Sequence, residues 1–240
     1  MKLLYLFLCS LLFVPATLSQ SVKIIPKKIT YNRPAPITEF KKTFTVTFPK
    51  VKASSTALSR KIENTISYEL VLGLNINEEI NDVQWLEDAA YEVGYNKIGL
   101  LSISISMHGA GAYPFGKEKT LVVDLKTGNR IKPSDVFVSI NKLTALVLNA
   151  QKMETMRTIA EIRNHPENRD VDPEQLFLKN GFRLSDLQEF AISEEGITFI
   201  YDYDFPYVVK ALQPEGRYFF TWNQLKPFIK RSGLLARFVR

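Results

Sequence analysis

Apolar and polar residues alternate along this chain in short blocks whose period shifts between two and nearly four. Between residues 101 and 108 the alternation is strict. Leu101, Ile103, Ile105 and Met107 fall on one side and Ser102, Ser104, Ser106 and His108 on the other, as in a strand with one core face. Residues 88–95 precede it, and a turn at Asn96-Lys97 makes the two a predicted hairpin. Residues 120–124, followed by Lys126-Thr127-Gly128-Asn129, extend it to a three-stranded meander. An earlier strand over 40–48 places Phe44, Val46 and Phe48 on one face and ends at Pro49. Later, 190–193 and 197–203 join through Glu194-Glu195-Gly196, and 217–222 reads as the last strand.

Between these blocks the period lengthens. Leu58, Ile62, Ile66 and Leu70 recur every four residues behind Ser54-Ser55 and ahead of Gly73, which predicts an amphipathic helix. Leu143, Leu146, Val147, Ala150 and Met153 mark a second helix over about 139–163, ended by His165-Pro166. Asp172-Pro173 opens a short helical turn before Gly181. Clusters of strands separated by two principal helices predict an α+β fold, a mainly antiparallel sheet of hairpins and a meander packed against those helices. Residues 38–240 form one domain in this reading. Residues 20–37, with Pro26, Pro34 and Pro36 and no helical period, read as an extended arm ahead of it.

The first nineteen residues change the picture. Lys2, an apolar run from Leu3 to Val14 and small residues before Gln20 have the parts of a secretory signal peptide, the apolar stretch being shorter than a membrane span needs. The expectation is export, to a periplasm or the extracellular medium, with no stable membrane span after cleavage. Cys9 is the single cysteine, so the mature chain would carry no disulfide and no thiolate metal site. About 220 residues suffice for a core without staples.

Charge is unevenly spread. Residues 20–61 hold ten basic residues and one acid, residues 62–96 eight acids and no base, and residues 206–240 seven bases and one acid. Two readings follow: the blocks meet each other or water, or the cationic ends contact an anionic envelope surface or a membrane-protein partner. No nucleic-acid recognition motif is present, and nucleic acid is not expected as a partner.

In combination, Tyr91-Glu-Val-Gly-Tyr-Asn-Lys97, the alternating strand with its Gly-rich loop, Asp124-Leu-Lys-Thr-Gly128, Ser134-Asp-Val-Phe137 and the stretch from Phe190 to Tyr201 resemble an exported domain-of-unknown-function family. That family occurs in the extracellular part of lysozyme-sensing anti-sigma factors and attached to some peptidoglycan deacetylases. The resemblance covers roughly residues 40–227 and implies an α+β envelope domain that binds rather than catalyses. The chain departs from the family in lacking a cytoplasmic sigma-binding segment and a deacetylase domain. Asp202-Tyr-Asp-Phe-Pro-Tyr-Val-Val-Lys210 replaces the family's Tyr-rich run.

Few residues carry candidate chemistry. His108 opens the Gly-rich loop over 109–116, which presents Tyr113 and Phe115; aromatic loop tips stack on sugar rings or anchor protein partners. Pro114 stands where a dinucleotide loop requires its third glycine, so no nucleotide cofactor is expected. Asp202 and Asp204 are read as sharing a strand face, with Glu194 and Glu195 at that strand's other end and Tyr207 just beyond. Paired carboxylates suit a glycosidase or Ca²⁺, or are simply solvated. Two histidines give no metal site, and no Gly-x-Ser-x-Gly elbow is present, so neither cofactor nor metal is predicted. Trp85 and Trp222 are read as core. The leading reading is an exported, non-catalytic module that binds peptidoglycan, a lysozyme-like protein or another envelope partner through His108, Tyr113, Phe115, Asp202, Asp204 and Tyr207. The alternative is an envelope hydrolase using Asp202, Asp204 or His108.

Overall fold

Five strands lie side by side in one sheet, β1 (Lys23–Asn32), β2 (Thr43–Lys52), β3 (Leu86–Lys97), β4 (Leu100–Ala110) and β5 (Pro114–Asp124), in that spatial order. Every pairing is antiparallel except the short parallel contact of β2 with β3 at Thr45↔Asp88 and Val46↔Ala89. A second sheet holds β6 (Phe190–Ile192), β7 (Gly196–Ile200) and β8 (Arg217–Thr221), all antiparallel. The fold is α+β, as the periodicity predicts. These elements come from a computed structural model that describes residues 21–111, 113–178 and 181–239. The segment read as a signal peptide, with Cys9, lies outside the described residues.

The helices occupy the connections. Between β2 and β3 come α1 (Thr56–Thr65), α2 (Tyr68–Leu72) and α3 (Ile76–Asn81). After β5 come α4 (Pro133–Val136), the long α5 (Ile140–Asn164) and α6 (Pro173–Phe177), and α7 (Trp222–Leu225) follows β8. Ser55 Oγ accepts from the Leu58 amide to start α1, and Ser67 Oγ accepts from Leu70 to start α2. The single helix expected through Leu70 therefore breaks at Ile66-Ser67, and Leu70 turns out to solvent. Gly73 closes α2 at φ 74°, where a Cβ would be strained.

The arm reading of residues 20–37 is corrected: Lys23–Asn32 pairs along its whole length with β2 and forms an edge of the large sheet. Prolines that argued against a strand are tolerated at an edge. Pro26 sits opposite Pro49, which lies beyond the two-residue pairing of β2 with β3, so β2 also continues past the expected stop to Lys52. The β3–β4 turn falls at Ile98-Gly99, not Asn96-Lys97. A bulge at Gly94 shifts the register, and both turn residues take the positive φ (43° and 78°) that a two-residue hairpin requires.

Strand β4 is buried on both faces at one end. Leu101, Ile103 and Ile105 meet Phe44, Val46, Leu121, Ile62 and Ile66 in a core under α1 and α2. On the opposite side Leu100 and Val122 join Phe137, Leu143, Val147, Phe190, Phe199, Phe220 and Trp222 in a core shared by α5 and the small sheet. That second core explains Ser102, which is buried and accepts from the Ile192 amide at 3.2 Å. The serine row thus passes from the interior to solvent: Ser104 bonds Thr120 across the strands at 2.7 Å, and His108 is exposed.

Charge blocks meet in part. Lys41 pairs with Glu87, Lys50 with Glu63 and Arg33 with Glu79, each joining the basic N-terminal block to the acidic one. In the C-terminal block Lys230 and Arg237 donate to the carbonyls of Ser134 and Ile98, while Lys226 and Arg231 have no such partner among the described residues.

Candidate aromatic binding surface

The loop expected over 109–116 is shorter in the structure. Pairing continues to Ala110↔Pro114, so residues 109–110 and 114–116 belong to β4 and β5. The twin strands project beyond the core, and the residues they carry there are exposed: Tyr113 60% and Phe115 52%. Gly109 lets the hairpin lie against the start of β3, since a Cβ there would meet the Trp85 carbonyl oxygen at 2.1 Å, and the Ala110 amide donates to that carbonyl at 2.9 Å.

Trp85 is half-buried: it packs against the core, as expected, and its other side reaches the surface. Its ring meets the edge of Phe115 at 5.1 Å and 90°. Gln84, at φ 56°, sets the turn that delivers it; the buried amide accepts from the Ile37 amide and donates to the Ala35 carbonyl, tying the 35–37 loop beside the indole. Phe40, Val83, Trp85, Met107, Tyr113 and Phe115, with Gly111 and Lys117, line a shallow, open hollow of about 590 Å³. Lys117 Nζ is held by the Leu72 carbonyl at 2.9 Å.

Tyr207 comes to the same place from the other half of the chain. It opens a 3-10 turn over Tyr207–Leu212, and its ring lies 4.7 Å from that of Tyr113 at 34°. Both rings remain substantially exposed. The turn is anchored beneath by Phe177, Tyr203 and Phe205, which form a small core with Val209 and Leu212. The structure thus brings together three of the residues singled out by sequence, Tyr113, Phe115 and Tyr207, and adds Trp85, Phe40 and Val83.

The remaining candidates do not join them. His108 sits on the other face of the hairpin, its Nδ1 3.5 Å from Asp88 Oδ1 and its ring against Gly116. Asp202 and Asp204 do not share a strand face, because β7 ends at Ile200 and residues 201–206 form an irregular turn. Asp202 Oδ1 accepts from the Asp204 amide at 2.9 Å and lies 3.6 Å from Lys210 Nζ, and Asp204 takes φ 51°. Alternation there instead sends Tyr203 and Phe205 inward. Asp202 borders a separate cleft of about 400 Å³, together with Lys119, Arg130 and Glu189. At the far end of the hairpin, Glu194 pairs with Lys97. The hydrolase alternative loses the paired carboxylates it was built on. Among the described residues no group of three or more His, Cys, Asp or Glu is placed to hold a metal ion, and no helix is long and apolar enough to cross a membrane.

Beside the aromatic surface a polar knot fixes the 201–218 segment. Tyr218 and Tyr203 donate to Glu154 Oε2 at 2.7 and 3.1 Å, and their hydroxyls lie 2.8 Å apart. Burial raises both phenols, Tyr203 to about 12.

Comparison with known proteins returns fold likeness. No protein-family model matches the chain, and no curated protein matches it. Among solved structures, a member of the DUF3298 family from Bacteroides fragilis superposes with a TM-score of 0.58 at 15% identity, covering 91% of this chain and 97% of that one. A DUF3298 family protein from Pseudomonas aeruginosa gives 0.53 at 13% identity, covering 88% and 94%. The fold is that of these domains of unknown function, over nearly the whole chain.

Proposed function

We propose that this chain is an exported, non-catalytic envelope binding module that captures a glycan strand or an exported protein on its aromatic surface. One observation carries the reading: Tyr113 and Tyr207 arrive from separate halves of the fold, lie with ring centres 4.7 Å apart and planes tilted by 34°, and stay open to solvent beside the Trp85–Phe115 hollow. Exposed aromatic rings that a fold holds in place are unusual unless something covers them, and flat rings suit both sugar faces and protein anchors. The family resemblance of the sequence, with its peptidoglycan and lysozyme-linked contexts, agrees with that chemistry.

The test is retention of the mature chain, residues 20–240, on insoluble peptidoglycan and in a lysozyme pull-down, each across a salt series. Capture through aromatic rings persists as ionic strength rises, whereas contact through the cationic ends falls away once charges are screened over about 10 Å at 0.1 M. Retention on either ligand that survives high salt supports the module. Retention on neither removes both of these ligands.

A further inference from the structure

A second hollow lies at the opposite end of the molecule, where the C-terminal segment folds back on the α4–α5 junction. Phe137 bridges to Ile229, the Val138 amide donates to the Phe228 carbonyl at 2.7 Å, and the Lys230 amide donates to Val136 at 2.9 Å. This clamp leaves about 800 Å³ of space floored by Ile229, Ala236 and Val239, with Val138 and Pro227 at its sides. The volume is within the roughly 300–1,000 Å³ of small-molecule sites. Ile229 and Ala236 are each only 4% exposed, so the floor is part of the core and firmly placed, while Val138 is open at the rim.

Cations complete the site. Lys226 and Arg231 both line the hollow and are exposed, and neither has a hydrogen-bond or ion-pair partner among the described residues. Their neighbours Lys230 and Arg237 are held on backbone carbonyls. Only one acid, Glu215, stands among the last 35 residues, so the local field is positive.

An apolar recess with two unpaired cations at its mouth has the chemistry to take a molecule with an apolar chain and an anionic head. We infer that this hollow binds a single-chain fatty carboxylate, its chain on Ile229, Ala236 and Val239 and its head between Lys226 and Arg231. The geometry favours one free chain over a bilayer surface, because the apolar groups line a recess and do not protrude.

Laurate titrated into the mature protein below its micellar range tests this, followed by calorimetry and by amide shifts in NMR. One equivalent binds, and the shifted amides belong to 136–138 and 226–239. The double variant K226E/R231E, which changes only exposed residues, weakens laurate at least tenfold and leaves the melting curve in place. Dodecyltrimethylammonium, with a chain of the same length and the opposite charge, binds at least tenfold more weakly than laurate. Equal binding of the two amphiphiles, unchanged affinity in the double variant, or saturation with many equivalents overturns the proposal. Binding to phosphatidylglycerol vesicles without uptake of free laurate overturns it in favour of a membrane contact.

Discussion

The Arg33 guanidinium lies 3.7 Å from the Glu79 carboxylate with both side chains shut away from water, 0% and 5% exposed. Arg33 also donates to the carbonyls of Glu79, Lys41 and Leu86 and lies 4.8 Å over the Phe44 ring, while Glu79 accepts from the Leu86 amide. One ion pair thus ties α3, the loop after β1 and the start of β3, the pieces that deliver Trp85 and Phe40 to the aromatic hollow. Removing one partner strands the other charge in the interior. Arg33→Ala is expected to lower stability by about 3–5 kcal/mol, read from the urea midpoint.

The same pair sets a pH dependence. Burial pushes the Glu79 carboxyl up, against the opposing pull of the Leu86 amide and Arg33. A folded-state value above the unfolded one means that the native state holds the proton more tightly. Glu79's contribution is therefore fullest below its ordinary value of 4.5 and declines as pH rises through the raised one. Urea midpoints of the wild type and Glu79→Gln between pH 4 and 7 check this: the wild type loses ground to the variant as pH rises. A constant difference would show that Glu79 titrates alike in both states.

Tyr203 and Tyr218 share Glu154, and burial raises both phenols, as it does Tyr68, whose hydroxyl donates to the Thr47 carbonyl at 2.7 Å. An acid whose folded-state value is raised stabilises the fold below its ordinary value, here 10, and that contribution is lost as pH climbs past it. Absorbance at 295 nm is expected to show these three rings ionising together with alkaline unfolding and not before. Tyr218→Phe, which deletes a bond to a carboxylate, lowers stability by about 1.5–3 kcal/mol.

Gly109 tests how tightly the hairpin is set against Trp85. A methyl group there meets the Trp85 carbonyl oxygen at 2.1 Å and its indole at 2.3 Å, whereas one at Gly111 meets nothing within 4 Å. Gly109→Ala is expected to cost about 1–3 kcal/mol and to shift Trp85 fluorescence, read in a Trp222→Phe background that leaves Trp85 as the sole tryptophan. Gly111→Ala leaves both stability and emission close to wild type.

Most strands, the α1 part of the first predicted helix and α5 are legible in the sequence because burial imposes a period. Leu101-Ile103-Ile105 must share a face, and Leu143-Val147 must share another. What escaped were features set by contacts distant in sequence. β1 has no period because it is a largely exposed edge strand, and its only specification is the partner strand opposite. Trp85 reads as core and does pack against it, but its exposed side, beside the positive-φ turn at Gln84, has no signature in the sequence. Asp202 and Asp204 mimicked a strand face, yet the alternation there serves the burial of Tyr203 and Phe205. Tyr113, Phe115 and Tyr207 were visible as aromatic residues in turn-rich stretches, but their meeting depends on the small core of Phe177, Tyr203 and Phe205 that sets the Tyr207 turn.

That meeting gives the sharpest prediction about the surface. Tyr113 and Tyr207 are both exposed, so replacing either with alanine is expected to lower stability by no more than the worth of their mutual contact. That contact, a tilted aromatic pair, is worth about 0.5–1.5 kcal/mol beyond burial, and each ring holds the other in place. If the pair presents one surface, losing one ring frees the other, and capture falls by as much in Tyr113→Ala as in the double variant with Tyr207→Ala. A double-mutant cycle on retention by peptidoglycan or lysozyme reads this as a coupling energy in the same range. Tyr113→Phe keeps the ring and is expected to retain most of the binding. Strictly additive losses would mean that the two tyrosines contact the ligand independently, and no loss in either variant would take the binding surface away from this pair.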